Sequence, residues 1–128
     1  MDFTRKARYV ANGSMTDTPV GLCYLSVLSR DSVRIAFLVY ALNDLDNLAC
    51  DIYNAYHNAP CLEIILFVAG MECGKCLEVR VMKLVRALYG LKISGSIWSK
   101  MFKYHIVNYF EFSPSTIDPD MYYRRNKK

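Results

Sequence analysis

Asp51, Tyr56 and the run Leu88-Tyr89-Gly90-Leu91-Lys92 are the residues of this 128-residue chain whose types and spacing suit chemistry. Asp51 sits within a short apolar stretch, and a carboxylate at a strand end can hold a divalent cation. An aromatic ring five residues further on, Tyr56, can wall off the sugar of a nucleotide. Metal-assisted phosphoryl transfer normally draws on more than one acid, and no Asp-Asp pair occurs anywhere in the sequence. The pattern is half of a phosphoryl-transfer site.

The elements that must position these residues follow from periodicity. Lys6 to Val10 alternates basic and apolar residues, the period of a half-buried strand that presents Lys6 and Arg8 on one face. Asn12-Gly13-Ser14 reads as a turn, and Thr16 to Ser29, broken by Pro19 and Gly21, as an extended loop. Asp31 or Ser32 is placed to cap a helix reaching about Leu45, whose broad apolar surface (Val33, Phe37, Val39, Tyr40, Leu42) predicts a mostly buried element. Leu48 to Ile52 predicts a short strand, Asn54 to Pro60 a turn and brief helix, and Ile64 to Val68 a second, buried strand. Glu78 to Leu84 alternates again, and Gly90 breaks the chain.

Ser94 or Ser96 begins the clearest helix, with Ile97, Trp98, Met101, Phe102, His105, Ile106, Tyr109 and Phe110 in one stripe and Pro114 expected to end it. Asp118-Pro119-Asp120 then turns into a final strand at Met121-Tyr122-Tyr123, and we expect the two acids to be structural, because the proline imposes a turn. Together these elements predict an α+β fold, a mixed or antiparallel sheet packed by two main helices.

Composition narrows the class. Hydrophobic residues make up 53% and charged residues 22%, the balance of one globular domain. The net charge of +4 is carried by the tail Arg124-Arg125-Asn126-Lys127-Lys128, so a neutral body bears a basic end, a modest footprint for nucleic acid. Five cysteines without an apolar leader predict free thiols in a reducing, intracellular and cytoplasmic setting. The longest apolar run, Ile35 to Leu42, falls well short of the roughly 20 residues a bilayer span takes, so no membrane partner is expected.

Four segments taken in order carry a resemblance: residues 6–13 (KARYVANG), 32–34 (SVR), 51–56 (DIYNAY) and 81–92 (VMKLVRALYGLK) with Trp98 behind them. From Lys6 to about Tyr123 the chain resembles the reverse transcriptase domain of Ty1/copia-type retrotransposon polyproteins. The resemblance implies a fingers and palm portion of an RNA-directed DNA polymerase, which adds deoxynucleoside triphosphates to a primer on an RNA or DNA template. It implies the remainder of the polyprotein as a further partner.

It also implies roles for individual residues. Asp51 matches the first catalytic aspartate, which in the family binds two Mg²⁺ ions, and Ile52 would lend its backbone to the second metal. Tyr56 matches the ring that excludes a ribose 2′-hydroxyl. Lys6 and Arg8 match the fingers strand that meets the incoming phosphates, and Gly90 a loop that approaches the nucleotide. Ile93 and Ser96 depart from the family pattern, which commonly has Gln and Arg there. The Tyr-x-Asp-Asp hairpin, the thumb and RNase H are not found in residues 1–128, so the expectation is a partial domain, inactive by itself.

Rival readings stand beside this one. The chain can be a noncatalytic nucleic-acid-binding or protein-binding remnant. His57, Cys61, Cys73 and Cys76 can instead supply four zinc ligands, although strong zinc signals pair two close-spaced couples and here only Cys73 and Cys76 make one. Lys6 and Arg8 can be a solvated strand face, and Tyr56 and Trp98 ordinary core.

Overall fold

A computed structural model describes residues 9–17, 19, 23 and 25–125. The strand expected at Lys6 to Val10 therefore lies outside the described residues except at its end, where Val10 makes a parallel bridge to Tyr89. The chain divides into two compact units: Met1–Tyr24 with Asn54–Trp98, and Leu25–Tyr53 with Ser99–Lys128. Among the described residues the architecture is a small α+β arrangement of two helices and two separate two-stranded antiparallel sheets, where one mixed or antiparallel sheet was expected.

In the first unit, strands β1 (Leu66–Val68) and β2 (Val81–Lys83) form a hairpin with Leu66 opposite Lys83, Phe67 opposite Met82 and Val68 opposite Val81. Backbone bonds prolong the ladder, Ala69 N–H to Arg80 O at 2.9 Å and Leu84 N–H to Ile65 O at 2.9 Å. Nearer the base, Cys61 N–H donates to Val85 O and Ala87 N–H to Ala59 O. Strand pleat sends alternate residues to opposite faces. Phe67 and Met82 accordingly turn inward and are half-buried, whereas Leu66, Val68 and Val81 are exposed. The strand read as buried on both faces is covered on one.

Helix α2 (Ser94–Asn108) begins at the first of the two serines expected to start it. Ser94 is buried, and its hydroxyl donates to Leu88 O at 2.7 Å, which ties the helix start to the preceding loop. Ile97, Trp98, Met101, Phe102 and Ile106 of the expected stripe are half-buried, while His105, Tyr109 and Phe110 are exposed. The helix stops at Asn108, before Pro114, because Glu111 takes a left-handed φ of 57° that no α-helix continues through. Pro114 instead lies in strand β3 (Ser113–Pro114), paired antiparallel with β4 (Tyr122–Tyr123).

In the second unit, Ser29 has extended backbone and its hydroxyl accepts the Ser32 N–H at 3.0 Å, an N-cap two or three residues before the expected caps Asp31 and Ser32, from which helix α1 (Arg30–Leu42) starts. Asp31 in the first turn complements the helix dipole. Only Ser32 of α1 is buried; Ile35, Phe37, Leu38, Val39 and Leu42 are exposed. The expected burial of this helix is thus corrected: a broad apolar surface fits burial only when elements exist to cover it. The strand expected at Leu48 to Ile52 is likewise absent, and Leu48 is 90% exposed.

Asp118 organises this unit. One carboxylate oxygen accepts from Ser29 N–H at 3.0 Å and from the Ser32 hydroxyl at 2.6 Å, and the other accepts Asp120 N–H at 3.2 Å. These donors, the Ser32 hydroxyl foremost, hold the carboxyl below its ordinary pKa. A folded pKa below the unfolded value of about 3.9 makes a contribution to stability that is complete above that value. It is lost as pH falls through the folded pKa. The urea midpoint of the wild-type chain should therefore drop more steeply between about pH 5 and pH 2 than that of Asp118→Asn, and parallel acid profiles for the two would contradict the assignment. Ser29→Ala should cost about 1 kcal/mol at neutral pH.

Candidate functional site

The motif residues assemble around Gly90 in the first unit. Ala11 N–H donates to Tyr89 O at 2.7 Å, and Gly90 takes a φ of 91°, a left-handed conformation that glycine adopts freely. A Cβ at Gly90 would collide with the carbonyl oxygen of Ala11, and a Cβ at Gly13 with that of Gly90. The close approach that requires glycine is thus to the chain's own backbone. Lys92 completes the arrangement, its ammonium donating to Thr16 O at 2.8 Å.

Tyr56 belongs to a short 3-10 turn, Ala55–Asn58, entered through Asn54 in left-handed backbone, which asparagine tolerates. The turn and brief helix expected there are present. The Tyr56 ring stacks on Tyr89 with centroids 4.6 Å apart and lies 6.3 Å from the Trp98 ring; His57 meets Tyr89 edge-on at 5.7 Å. Such pairs contribute about 0.5–1.5 kcal/mol beyond the area they bury. Tyr56, Tyr89 and Trp98 therefore share one neighbourhood, with Gly90 next in the chain to Tyr89.

Asp51 and Ile52 fall in the other unit. Asp51 is exposed on a stretch without helix or strand, and its carboxylate has no hydrogen bond or ion pair among the described residues. Lys6 and Arg8 lie outside the described residues. No three His, Cys, Asp or Glu side chains converge among the described residues as a metal site demands. One solvated carboxylate does not fit a pair of magnesium ions, which need several oxygen ligands between them. The four proposed zinc ligands do not gather either, and the Cys61 thiol is directed to Glu63 O at 3.4 Å.

Two features were missed in the sequence. Tyr89 and Lys92 stood inside the quoted run, yet their partners, Tyr56 and Thr16, are distant in sequence. Tyr9 donates its phenol to Glu72 Oε1 at 2.5 Å across 63 residues, a separation no local pattern encodes. The carboxylate acceptor favours the protonated phenol, and the Tyr9 pKa is pushed up to about 12 while that of Glu72 is lowered.

An open cavity of about 1260 Å³ also lies in this unit, walled by Val10, Ile65, Phe67, Leu84, Leu88 and Leu91 among others. Among the described residues its lining includes Asp17 and Glu63 and no Lys or Arg, and neither Tyr56 nor Gly90 is among them. Those walls suit apolar groups; a triphosphate calls for cations. Likewise Arg86 is directed to Asn58 O and Arg124 to Phe110 O and the Phe112 ring. No helix among the described residues is long and apolar enough to cross a membrane.

Compared with protein-family models, curated proteins and solved structures, the chain matches none.

Two glycines with positive φ separate backbone strain from steric collision. Gly74 has a φ of 95° with open space where a Cβ would stand. Gly74→Ala should cost about 1 kcal/mol and Gly90→Ala about 3 kcal/mol or more, read as shifts in urea midpoint. Equal costs would mean that the Ala11 carbonyl yields to a side chain and that the approach is loose.

Proposed function

We propose that this chain is a fingers and palm fragment of a Ty1/copia-type reverse transcriptase and that it does not polymerise DNA by itself. One observation supports the reading: residues 9–13, 54–56 and 81–92, parts of three of the four motif segments, lie in one unit, with Tyr56 on Tyr89 and the Ala11 backbone on Gly90. A half-buried tyrosine beside a glycine turn is a wall of the kind that would lie against a deoxyribose. Asp51, Ile52, Lys6 and Arg8 keep the roles that the sequence resemblance gives them, as metal-side and phosphate-side groups of the ancestral site.

The same observations account for inactivity. Charge that moves onto a leaving pyrophosphate must be neutralised, and metal ions do this in phosphoryl transfer. A single exposed carboxylate leaves them without a site. Among the described residues Arg86, Lys92 and Arg124 donate to backbone carbonyls of the chain itself, which reduces their availability to phosphates. The unassembled Cys and His set disfavours the rival zinc module.

Primer extension on an RNA or DNA template with deoxynucleoside triphosphates and Mg²⁺ tests the functional half of the reading. Incorporation should stay at background for the wild-type chain and for Asp51→Asn alike. Extension that Asp51→Asn abolishes would show that one carboxylate suffices and would overturn the assigned inactivity. Ancestry is tested by sequencing the locus beyond the codon for Lys128: a Tyr-x-Asp-Asp coding stretch nearby in some forward frame is expected, and none in any frame counts against descent.

A further inference from the structure

Asn12-Gly13 is the one Asn-Gly pair in the sequence; the other six asparagines all precede a residue that carries a Cβ. The missing Cβ matters because the peptide nitrogen that follows an asparagine can attack the carboxamide carbon, and a side chain on the attacking residue obstructs the approach. Local geometry favours the attack here. The Asn12 Oδ1 accepts the Ser14 N–H at 3.2 Å and the Ser14 hydroxyl at 2.7 Å, so the carboxamide folds forward over the Gly13 peptide. In Asn43, Asn58 and Asn108 the side-chain nitrogen donates to the carbonyl four residues earlier, which draws the carboxamide away from the following nitrogen. The Gly13 N–H has no hydrogen-bond partner among the described residues, and Asn12 is exposed to the water and base that the reaction uses.

We infer that Asn12 is a deamidation site activated by Ser14, and that its conversion loosens the hold of residues 11–13 on the Gly90 turn. Solvent base takes the Gly13 amide proton as that nitrogen bonds to the Asn12 Cγ, and negative charge develops on Oδ1, where both Ser14 donors already point. The bond from Cγ to the side-chain nitrogen then breaks, ammonia leaves with a proton from solvent, and a cyclic succinimide remains. Water opens the ring at either carbonyl, to aspartate or to isoaspartate, and nothing is oxidised or reduced. Isoaspartate routes the main chain through the former side chain and so lengthens it by a methylene between Ala11 and Gly13. Spacing is tight on both sides of that point: Ala11 N–H donates to Tyr89 O at 2.7 Å, and a Cβ at Gly13 would collide with Gly90 O. A longer backbone cannot keep both contacts. The inference is independent of the polymerase ancestry and uses residues of one unit alone.

Incubation of the full chain in mildly alkaline buffer, followed by peptide mapping with mass spectrometry, reads each asparagine by the mass gained when amide becomes acid. An isoaspartate-specific methyltransferase reports the isomer. Asn12 should convert roughly tenfold or more ahead of every other asparagine. Ser14→Ala should slow it roughly tenfold, the loss expected of one hydrogen bond to a developing charge, and Ser14→Thr, which keeps the hydroxyl, should retain the wild-type rate. Circular dichroism shows whether the variants fold. If Ser14→Ala does not, Ser14→Cys, whose thiol is a weak donor, decides by the same readout. The isoaspartyl chain, separated by chromatography, should unfold at a lower urea midpoint than fresh protein. Conversion spread evenly over the asparagines, a rate indifferent to the Ser14 hydroxyl, or an unchanged urea midpoint in the isoaspartyl chain overturns the inference.

Discussion

The backbone of Ala11 comes so near Gly90 that position 90 has no room for a Cβ, and the organisation of the first unit follows from that approach. Glycine at 90 permits the positive φ, the turn directs the Tyr89 carbonyl to the Ala11 N–H, and the Tyr89 ring is thereby held where Tyr56 can stack on it. Lys92, two residues beyond the turn, reaches the Thr16 carbonyl, and Ser94 bonds back to Leu88 as helix α2 begins. Five adjacent sequence positions thus fix the segment of residues 11–16, an aromatic stack and a helix start. Little apolar burial backs them, since Ala59, Ala69, Ala87 and Leu91 are the buried apolar residues among those described. Three of these carry only a methyl, and large side chains supply most of the hydrophobic free energy in ordinary cores. Hydrogen bonds and close backbone contacts therefore decide this geometry to an unusual degree.

Two aspartates show how environment, more than residue type, assigns a role. Asp118 receives three donors, and its carboxylate is stabilised in the charged form. Its charge is already matched to the N-terminus of α1 and to its own turn, so it stands in a structural capacity. Asp51 is exposed, and among the described residues no hydrogen bond or ion pair defines its geometry. Coulomb attraction between one carboxylate and a divalent ion in water is weak compared with a site of several ligands, because high dielectric screens each term. The acid that the motif singles out is therefore held by no bond among the described residues, and the acid in the turn is strongly engaged.

Legibility in the sequence followed the range of the interaction. The start of α2 at Ser94, the turn at Asp118-Pro119-Asp120 with β4 after it, and the short helix after Asn54 were readable, since each depends on residues within a few positions. Strand identity at 66–68 and 81–83 was readable too, although burial was not: alternation or an apolar run shows which faces are hydrophobic and not whether anything covers them. The same gap explains α1, whose apolar side chains predicted burial and are exposed. Leu48 to Ile52 has strand-forming residues and no partner strand, and a strand without a ladder leaves its backbone groups to water. The Tyr9 to Glu72 bond and the Tyr56 to Tyr89 stack join distant positions, and their residues bear no local mark of it.

Under the proposed ancestry, the two departures from the family pattern have a common physical logic. Ile93 lines the apolar cavity, and Ser96 is 5% exposed near the start of α2. A glutamine at 93 would face apolar walls, and an arginine at 96 would place a guanidinium where almost no water reaches. A buried charge is costly unless paired. A small hydroxyl and an aliphatic chain avoid that desolvation cost. The glycine, tyrosine and lysine of the same run remain because the fold itself uses them: Gly90 for its φ, Tyr89 for the stack and Lys92 for the Thr16 carbonyl. Residues with a ligand-facing role alone are the ones such a chain can lose without losing its shape.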